Sequence, residues 1–332
     1  MTKFVDGYSS PLNIIETEDA IKCLRIFFEQ HMAKNLNLSR VSAPLFVEPS
    51  SGLNDNLNGI ESPVSFGIKD CEKCAEIVHS LAKWKRYALA KYGYSAGQGI
   101  YTNMNAIRAE EICDNTHSIY VDQWDWEKII LPDDRNLDFL YDTVRKIYAA
   151  VVATEDFVCQ KYGLDSFLPK NVIFLTAQQM EDELPHNTPQ EREYHFAKKH
   201  GAIFVAGIGS PLKSGQPHDG RAPDYDDWSL NGDIIVYYPL LDIPLELSSM
   251  GIRVDEVSLK GQLEATGCSE RLELPFHRAI SEKRLPYTIG GGIGQSRLSM
   301  LLLQKLHIGE VQVSIWPNQI LEECAKRKIN LL

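Results

Sequence analysis

The sequence is short of cations. Lysine and arginine number 34 against 45 aspartates and glutamates, a net charge of −11. A nucleic-acid footprint needs basic surface to displace counterions. No nucleic-acid partner is therefore expected, although a few arginines can still hold a small anion. Long apolar runs are also missing. None approaches the roughly 20 residues of a membrane helix, so no membrane partner is expected. The opening Met1-Thr2-Lys3-Phe4-Val5-Asp6 has no apolar leader. Seven cysteines, odd in number and scattered, suit a reducing compartment, and the expectation is a cytoplasmic protein. Cys71-Glu72-Lys73-Cys74 is a lone CxxC. Without a second pair it reads as two thiols beside a turn, not as a zinc site. Internal repeats and linker-like stretches are absent too. The 332 residues, 44% of them hydrophobic, read as one domain spanning 1–332.

Glycine is concentrated in one stretch, Thr288-Ile289-Gly290-Gly291-Gly292-Ile293-Gly294-Gln295-Ser296-Arg297-Leu298. It reads as a strand end, a glycine-rich turn and a helix. The glycines either let other groups come close or permit dihedrals that Cβ forbids. The stretch lacks the third glycine of the dinucleotide fingerprint and the Gly-Lys-Ser/Thr of a P-loop. Arg297 falls in the first helical turn, where the dipole disfavours a cation. An anionic ligand beside it would explain the choice; a packed turn with a solvated arginine is the plain alternative.

Along the chain, periodicity predicts a helix over 17–36 with Thr17 as its cap. A strand over Ser39–Val47 follows, interrupted by Pro44. Residues 50–59 are a polar loop, 63–69 and 76–81 short strands. Ser80–Arg86 begins a helix whose cations read as a solvated face. A strand from Ile100 ends near Arg108, the loop is Ala109–Thr116, and Ser118–Glu127 is the next strand. Alternation puts Val121, Gln123 and Asp125 on one of its faces, with Asp122, Trp124 and Trp126 on the other. Aspartate is a costly strand residue, so the Gln123/Asp125 face should look onto water or a ligand. A long helix covers 135–162, with Leu137, Leu140, Val144, Ile147, Val151 and Val158 as its buried stripe. Strands are predicted at 173–175, 202–206, 233–238, 244–249 and 311–316, and helices at 191–199, 255–266 and 269–282. The segment 207–232 reads as a long irregular loop, of the kind that is usually functional. Strands arriving in hairpin-like groups indicate a mostly antiparallel sheet flanked by helices, an α+β class.

Two arginines, Arg108 and Arg297, sit at element ends, and two acids, Asp233 and Glu246, sit in apolar strands. Arginines suit phosphate oxygens, and paired carboxylates suit a phosphate-borne Mg²⁺. Together they describe a triphosphate site without a P-loop. Two buried arginine–carboxylate pairs are the competing reading.

The order of these elements resembles the three motifs of the class II aminoacyl-tRNA synthetase-like catalytic fold. Within that fold the chain resembles the ammonia-dependent asparagine synthetases. The matching blocks run in order over nearly the whole length: Asp55-Asn56-Leu57, Val78–Arg86, Tyr120-Val121-Asp122-Gln123-Trp124-Asp125-Trp126-Glu127, Arg221–Trp228, Leu230–Asp233, Glu246–Val254 and the glycine stretch. The resemblance implies a single catalytic domain that joins L-aspartate and ammonia with ATP as substrate and Mg²⁺ as its companion ion. It also implies a β-aspartyl-adenylate intermediate, and a homodimer built on the early helix–strand–Pro44 unit. Residue by residue, it assigns Arg108 to the α-phosphate and the attacking carboxylate, and Gln123 to the adenylate oxygen. Asp233 and Glu246 would meet Mg²⁺ and the triphosphate. Val121 and Arg297 would hold the nucleotide. Ser80, Lys85, Asp125, Asp226 and Ser249 would bind substrate, and Asp55 would position ammonia or take its proton. Glu246 and Ser249 have opposite parity on an ideal strand, so either a bend intervenes or only one points inward. With Thr at position 2 and its first cysteine at Cys23, the chain lacks the N-terminal nucleophile of a glutamine-dependent enzyme. A transfer-RNA-charging paralogue is the alternative, disfavoured by the acidic charge and by the absence of a visible anticodon-binding domain. A non-enzymatic paralogue would have no need of Arg108, Gln123, Glu246 and Arg297 together.

Overall fold

The computed structural model describes residues 2–55, 57 and 61–332; Asn56, Asn58 and Gly59 of the polar loop lie outside the described residues. The first part of the chain forms α1 (Ile14–Leu36), β1 (Leu38–Arg40), β2 (Phe46–Val47), β3 (Ser65–Ile68), β4 (Lys73–Ile77) and α2 (Ala82–Lys91). The middle forms β5 (Gly99–Ile107), β6 (Tyr120–Ile129), α3 (Leu137–Tyr162), β7 (Ile173–Thr176), α4 (Ala177–Glu183), α5 (Pro189–His200) and β8 (Ala202–Ala206). The last part forms β9 (Asp226–Tyr238), β10 (Ile243–Arg253), α6 (Glu256–Ala265), α7 (Pro275–Ser281), β11 (Thr288–Gly294), α8 (Gln295–Leu302) and α9 (Asn318–Lys326).

Eight strands make one sheet in the order β1-β5-β6-β11-β10-β9-β8-β7. Only the outermost pairs, β1–β5 and β7–β8, are parallel. The rest is antiparallel, as the sequence pattern predicts. Alternation along β6 explains how the sheet divides its faces. Trp124 and Trp126 are buried and join a core with Leu24 and Phe28 of α1, Val144 and Ile147 of α3, and Leu298 and Leu301 of α8. Phe28 packs on Trp124 at 4.6 Å between ring centres; full burial of such a ring contributes roughly 1.5–3 kcal/mol. The opposite face is left to Gln123 and Asp125. Helices α4 and α5 cover only its far end, over Ile203, Val205 and Ile235. The middle of that face is open, and the cleft lies there. A smaller sheet, β2-β4-β3, stands beside it.

Several elements differ from expectation. α1 starts at Ile14, because Asn13 and Glu16 form a reciprocal capping box; Thr17 lies inside, its hydroxyl bonded to the Asn13 carbonyl. Pro44 separates β1 and β2 into two sheets instead of bending one strand. α4, capped by Thr176 and Gln179, lies between the expected strand at 173–175 and helix at 191–199, where no element was expected. Leu137 is 37% exposed and stands outside the α3 core stripe. β9 begins at Asp226, so the irregular segment is seven residues shorter at that end. The 269–282 helix is a 3₁₀ turn at Ser269–Glu273 followed by α7. Val311–Trp316 forms no strand: among the described residues it joins neither sheet, and Val313 and Ile315, which alternation would place on the same face as the buried Val311, stay exposed. α9 follows Pro317 instead.

The main correction concerns the glycines. Gly290 to Gly294 are strand residues of β11, not a turn, and none has positive φ. They are needed for close approach. A Cβ on Gly290 would sit 2.0 Å from Glu127 Oε2 and 2.6 Å from Arg253 Nη2. A Cβ on Gly292 would sit 2.3 Å from Gln123 Oε1.

Candidate active site

The floor of the cleft is a buried chain of alternating charges. Asp125 pairs with Lys85, Lys85 approaches Glu127 at 3.7 Å, Glu127 takes Arg253 at 2.8 Å, and Arg253 pairs with Asp226. All five side chains are at most 4% exposed. Lys85 also donates to the carbonyls of Trp126 and Gly291, at 2.9 and 3.2 Å. Burial pushes the Lys85 ammonium down from its ordinary value. Burial pushes the Glu127 carboxyl up, but Arg253 and Lys85 more than reverse this and leave it below the ordinary range. Asp226 is raised by burial in spite of Arg253. The α2 cations are thus not a solvated face. Lys83, Lys85 and Arg86 are buried, and their partners come from far along the chain. For Arg86 these are the carbonyls of Pro286 and Val254.

Above this floor is a cleft of about 480 Å³. At one end Asp55, Ser80, Asp125 and Asp226 line it. The Ser80 hydroxyl donates to Asp55 Oδ2 at 2.8 Å, and Leu81 N–H to Asp125 Oδ2 at 3.1 Å. Tyr225 joins this end; burial, then Asp55 and Asp226, push its phenol well above the ordinary value. Arg108, Val121 and Gln123 line the cleft as well. Arg108 Nε is buried and has no hydrogen-bond partner among the described residues, a guanidinium prepared for an anion. Glu246, Ser249 and Arg297 line the remaining part. Arg297 sits in the first turn of α8, its Nη1 3.2 Å from the Glu246 carbonyl and 3.7 Å from its carboxylate.

Two expected residues stand off the cleft surface. Lys85 lies behind Asp125, within the floor. Asp233 faces a side cavity of about 80 Å³, which it shares with Glu193, His218, Asp219 and Glu246. There it pairs with Arg221, and burial, against that arginine, raises its carboxyl to about 7. The parity of Glu246 and Ser249 is reconciled by a bulge: β10 slips by one residue against β9 between Glu246 and Ser248. The extra residue, Leu247, brings the flanking pair to one face, so a bend does intervene.

Mg²⁺ carried by a triphosphate uses one or two protein carboxylates, the phosphates and water supplying the rest. Asp233 Oδ1 is buried without a partner among the described residues, and Glu246 is accessible beside it. Among the described residues no group of three or more His, Cys, Asp or Glu is spaced to hold a metal alone. The donor set fits a phosphate-borne Mg²⁺.

Arg253, Glu127, Arg221 and Tyr225 complete the site, yet the sequence does not single them out. For Arg253 a signal exists: like Arg108, it is an isolated arginine ending an apolar strand. For Glu127 alternation offers one, since it lies two residues after Asp125 on the same face of β6; its partners Arg253 and Lys85 lie far away in the chain.

The family model for aspartate–ammonia ligase matches residues 15–328. An aspartate–ammonia ligase of Fusobacterium nucleatum is 59% identical over 327 residues, covering 98% of this chain and all of that one. One from Clostridium perfringens is 58% identical over 328 residues, 98% of each chain. Among solved structures, the asparaginyl-tRNA synthetase of Entamoeba histolytica in complex with asparaginyl-adenylate superposes with a TM-score of 0.66 at 13% identity, over 90% of this chain and 66% of that one. The Pyrococcus horikoshii asparaginyl-tRNA synthetase, complexed with asparaginyl-adenylate, gives 0.64 at 15% identity over 91% and 70%. These likenesses establish the class II synthetase fold. With a family model spanning nearly the whole chain and relatives above one-half identity, this protein belongs to the aspartate–ammonia ligase family.

Proposed function

We propose that the protein makes L-asparagine from L-aspartate, ammonia and ATP, releasing AMP and pyrophosphate. One observation carries the reading: a cluster of carboxylates at Asp55, Asp125 and Asp226 and the arginines Arg108 and Arg297 share one cleft, onto which β6 presents Gln123 and Asp125. A carboxylate is a poor acyl donor. The side-chain carboxylate of aspartate attacks the α-phosphorus, its new O–P bond replaces the bond to pyrophosphate, and β-aspartyl-adenylate forms. Ammonia adds to the β-carbonyl, loses a proton, and AMP leaves with the acyl oxygen.

The protein's part is positioning and charge stabilisation. Arg108 neutralises the α-phosphate and the incoming carboxylate. Gln123, on the open face of β6, holds the adenylate oxygen. Ser80, Asp125, Asp226 and Ser249 hold the amino acid, with Lys85 fixing Asp125 from behind. Asp55, oriented by the Ser80 hydroxyl, positions ammonia or accepts its proton. Val121 and Arg297 hold the nucleotide. Asp233 and Glu246 would hold a Mg²⁺ that offsets phosphate charge. We read the chain as one catalytic domain, cytoplasmic, and paired as a homodimer through α1 and β1. The transfer-RNA-charging alternative has only the fold in its favour.

Incubation with aspartate, ATP and ammonium should give asparagine and AMP in equal amounts by mass spectrometry, with glutamine a much poorer donor. ADP in place of AMP, or no asparagine, would overturn the proposal.

A further inference from the structure

A second charge cluster lies behind the cleft, outside its lining. Asp224 is fully buried. Its Oδ2 receives Lys83 Nζ at 2.8 Å, His277 Nε2 at 2.9 Å and Arg271 Nη1 at 3.3 Å. Burial alone would raise this carboxyl; Lys83 and His277 hold it well below the ordinary range. His277 is also fully buried, and its Nδ1 has no partner among the described residues. Replacing such a network by apolar side chains is often neutral or stabilising. Stability alone therefore gives no reason for it, whereas fixing one arrangement does.

Three segments that carry cleft residues meet at this cluster. The first is 221–228, which holds Asp224 itself and presents Arg221, Tyr225 and Asp226 to the cleft. Its backbone is pinned from the other side by Gln262 of α6, which donates to the Pro223 and Asp226 carbonyls at 2.9 Å each. The second is α2: Lys83 reaches Asp224, while Lys85, two residues on, reaches Asp125. The third is the turn that leads to Asp55. Gly52, with φ +71, lies against α7 so closely that a Cβ there would meet Leu274 at 3.0 Å and His277 Nδ1 at 3.3 Å. Asp55 follows three residues later. Each of the three segments supplies a carboxylate, or the partner of one, to the same end of the cleft.

We propose that the Asp224–His277 pair is a positioning device for the amino-acid wall of the cleft: it sets 221–228, α2 and the Gly52 turn against one another so that Asp226, Asp125 and Asp55 converge on one substrate. Neither residue touches that substrate. The nucleotide end, built from β10, β11 and α8, meets 221–228 through Arg221, three residues from Asp224, which pairs with Asp233, and through Asp226, which pairs with Arg253 of β10; neither the Asp224 nor the His277 side chain reaches it. This inference rests on the aspartate reading given above.

The test is the full-length enzyme with Asp224→Asn, His277→Ala and His277→Gln, measured for KM of aspartate, KM of ATP and kcat, with thermal melting alongside. Asp224→Asn and His277→Ala are expected to raise the aspartate KM about tenfold or more while leaving the ATP KM within about twofold. His277→Gln, which keeps an N–H donor for Asp224, should recover most of the loss. Equal shifts in both KM values, no advantage of Gln over Ala, or loss of folding in both disruptive variants would each overturn the inference, since a purely structural role explains them all. A wild-type enzyme that forms no asparagine would sink the functional reading first, and this inference with it.

Discussion

Gly290 and Gly292 stand two residues apart on β11 and are needed for different reasons. At Gly292 the obstructing atom would be the end of the Gln123 side chain, which can swing aside. At Gly290 it would be Glu127 and Arg253, which cannot move without breaking the buried charge chain. Gly292→Ala should therefore stay within about 1 kcal/mol of wild-type stability while kcat falls on the order of a hundredfold, since a donor to the adenylate is displaced. Gly290→Ala should lose about 3–5 kcal/mol, the cost of breaking a buried pair. Urea unfolding and steady-state kinetics on the two variants check this together. Equal stability in both, or wild-type kcat in Gly292→Ala, would mean the glycines are interchangeable. The same residues mark a limit of sequence reading. Glycine advertises a turn locally, but the demand here comes from side chains on neighbouring strands. Gln123 and Asp125 were legible because alternation is a local property. The burial of Lys83 and Lys85 was not, because their counter-charges lie far away in the chain.

Among the elements, the 3₁₀ turn at Ile308–Glu310, just beyond α8, has a pH dependence of its own. His307 precedes it, fully buried, edge-on to Trp316 at 4.8 Å between ring centres. Its Nδ1 accepts the Gly309 N–H at 3.0 Å, which requires a neutral ring with that nitrogen unprotonated. Burial lowers its pKa from 6.5 to about 4; Asp114 opposes this only weakly. Below pH 6.5 the unfolded chain takes up a proton that the folded one refuses. The histidine's contribution is complete above that pH and is lost as pH falls towards 4. Each unit is worth about 1.4 kcal/mol, so the loss reaches on the order of 2–3 kcal/mol near pH 4.5. His307→Asn retains an acceptor for Gly309 without the titration. The difference in unfolding free energy between wild type and this variant should narrow, or change sign, from pH 7.5 to pH 4.5. A pH-independent difference would contradict the assignment. The bounds of α3 and α6 were legible to within two residues, whereas the local capping box of α1 at Asn13 was passed over for Thr17. Elements were misread where pairing decides, since Val311–Trp316 alternates apolar and polar residues like a strand but pairs with no strand among the described residues.

At the scale of the whole molecule, the sheet ends on β1, three residues long, whose outer edge is unpaired among the described residues. Exposed strand edges invite pairing and are usually covered. α1, directly before it, turns Ala20, Leu24 and Phe28 inward. Its Ile15 and Ile26, 82% and 49% exposed, remain outside. They are eleven residues apart, three turns to within about 20° on a helix, so they lie on one side of it, with the exposed Glu18, Asp19 and Lys22 between them. The proposed homodimer would cover the two isoleucines and shield the edge. Sedimentation at micromolar concentration should then give twice the chain mass of 37.5 kDa. Ile15→Asp combined with Ile26→Lys should shift the protein to monomer. The monomer's far-UV spectrum should be unchanged, because neither residue contributes to the core. The residues proposed to hold the nucleotide, Arg108, Val121, Gln123 and Arg297, all line the cleft of the single chain, so ATP binding should outlast the dissociation. A wild-type protein that sediments as a monomer throughout, or a doubly substituted one that remains dimeric, would move the interface away from α1.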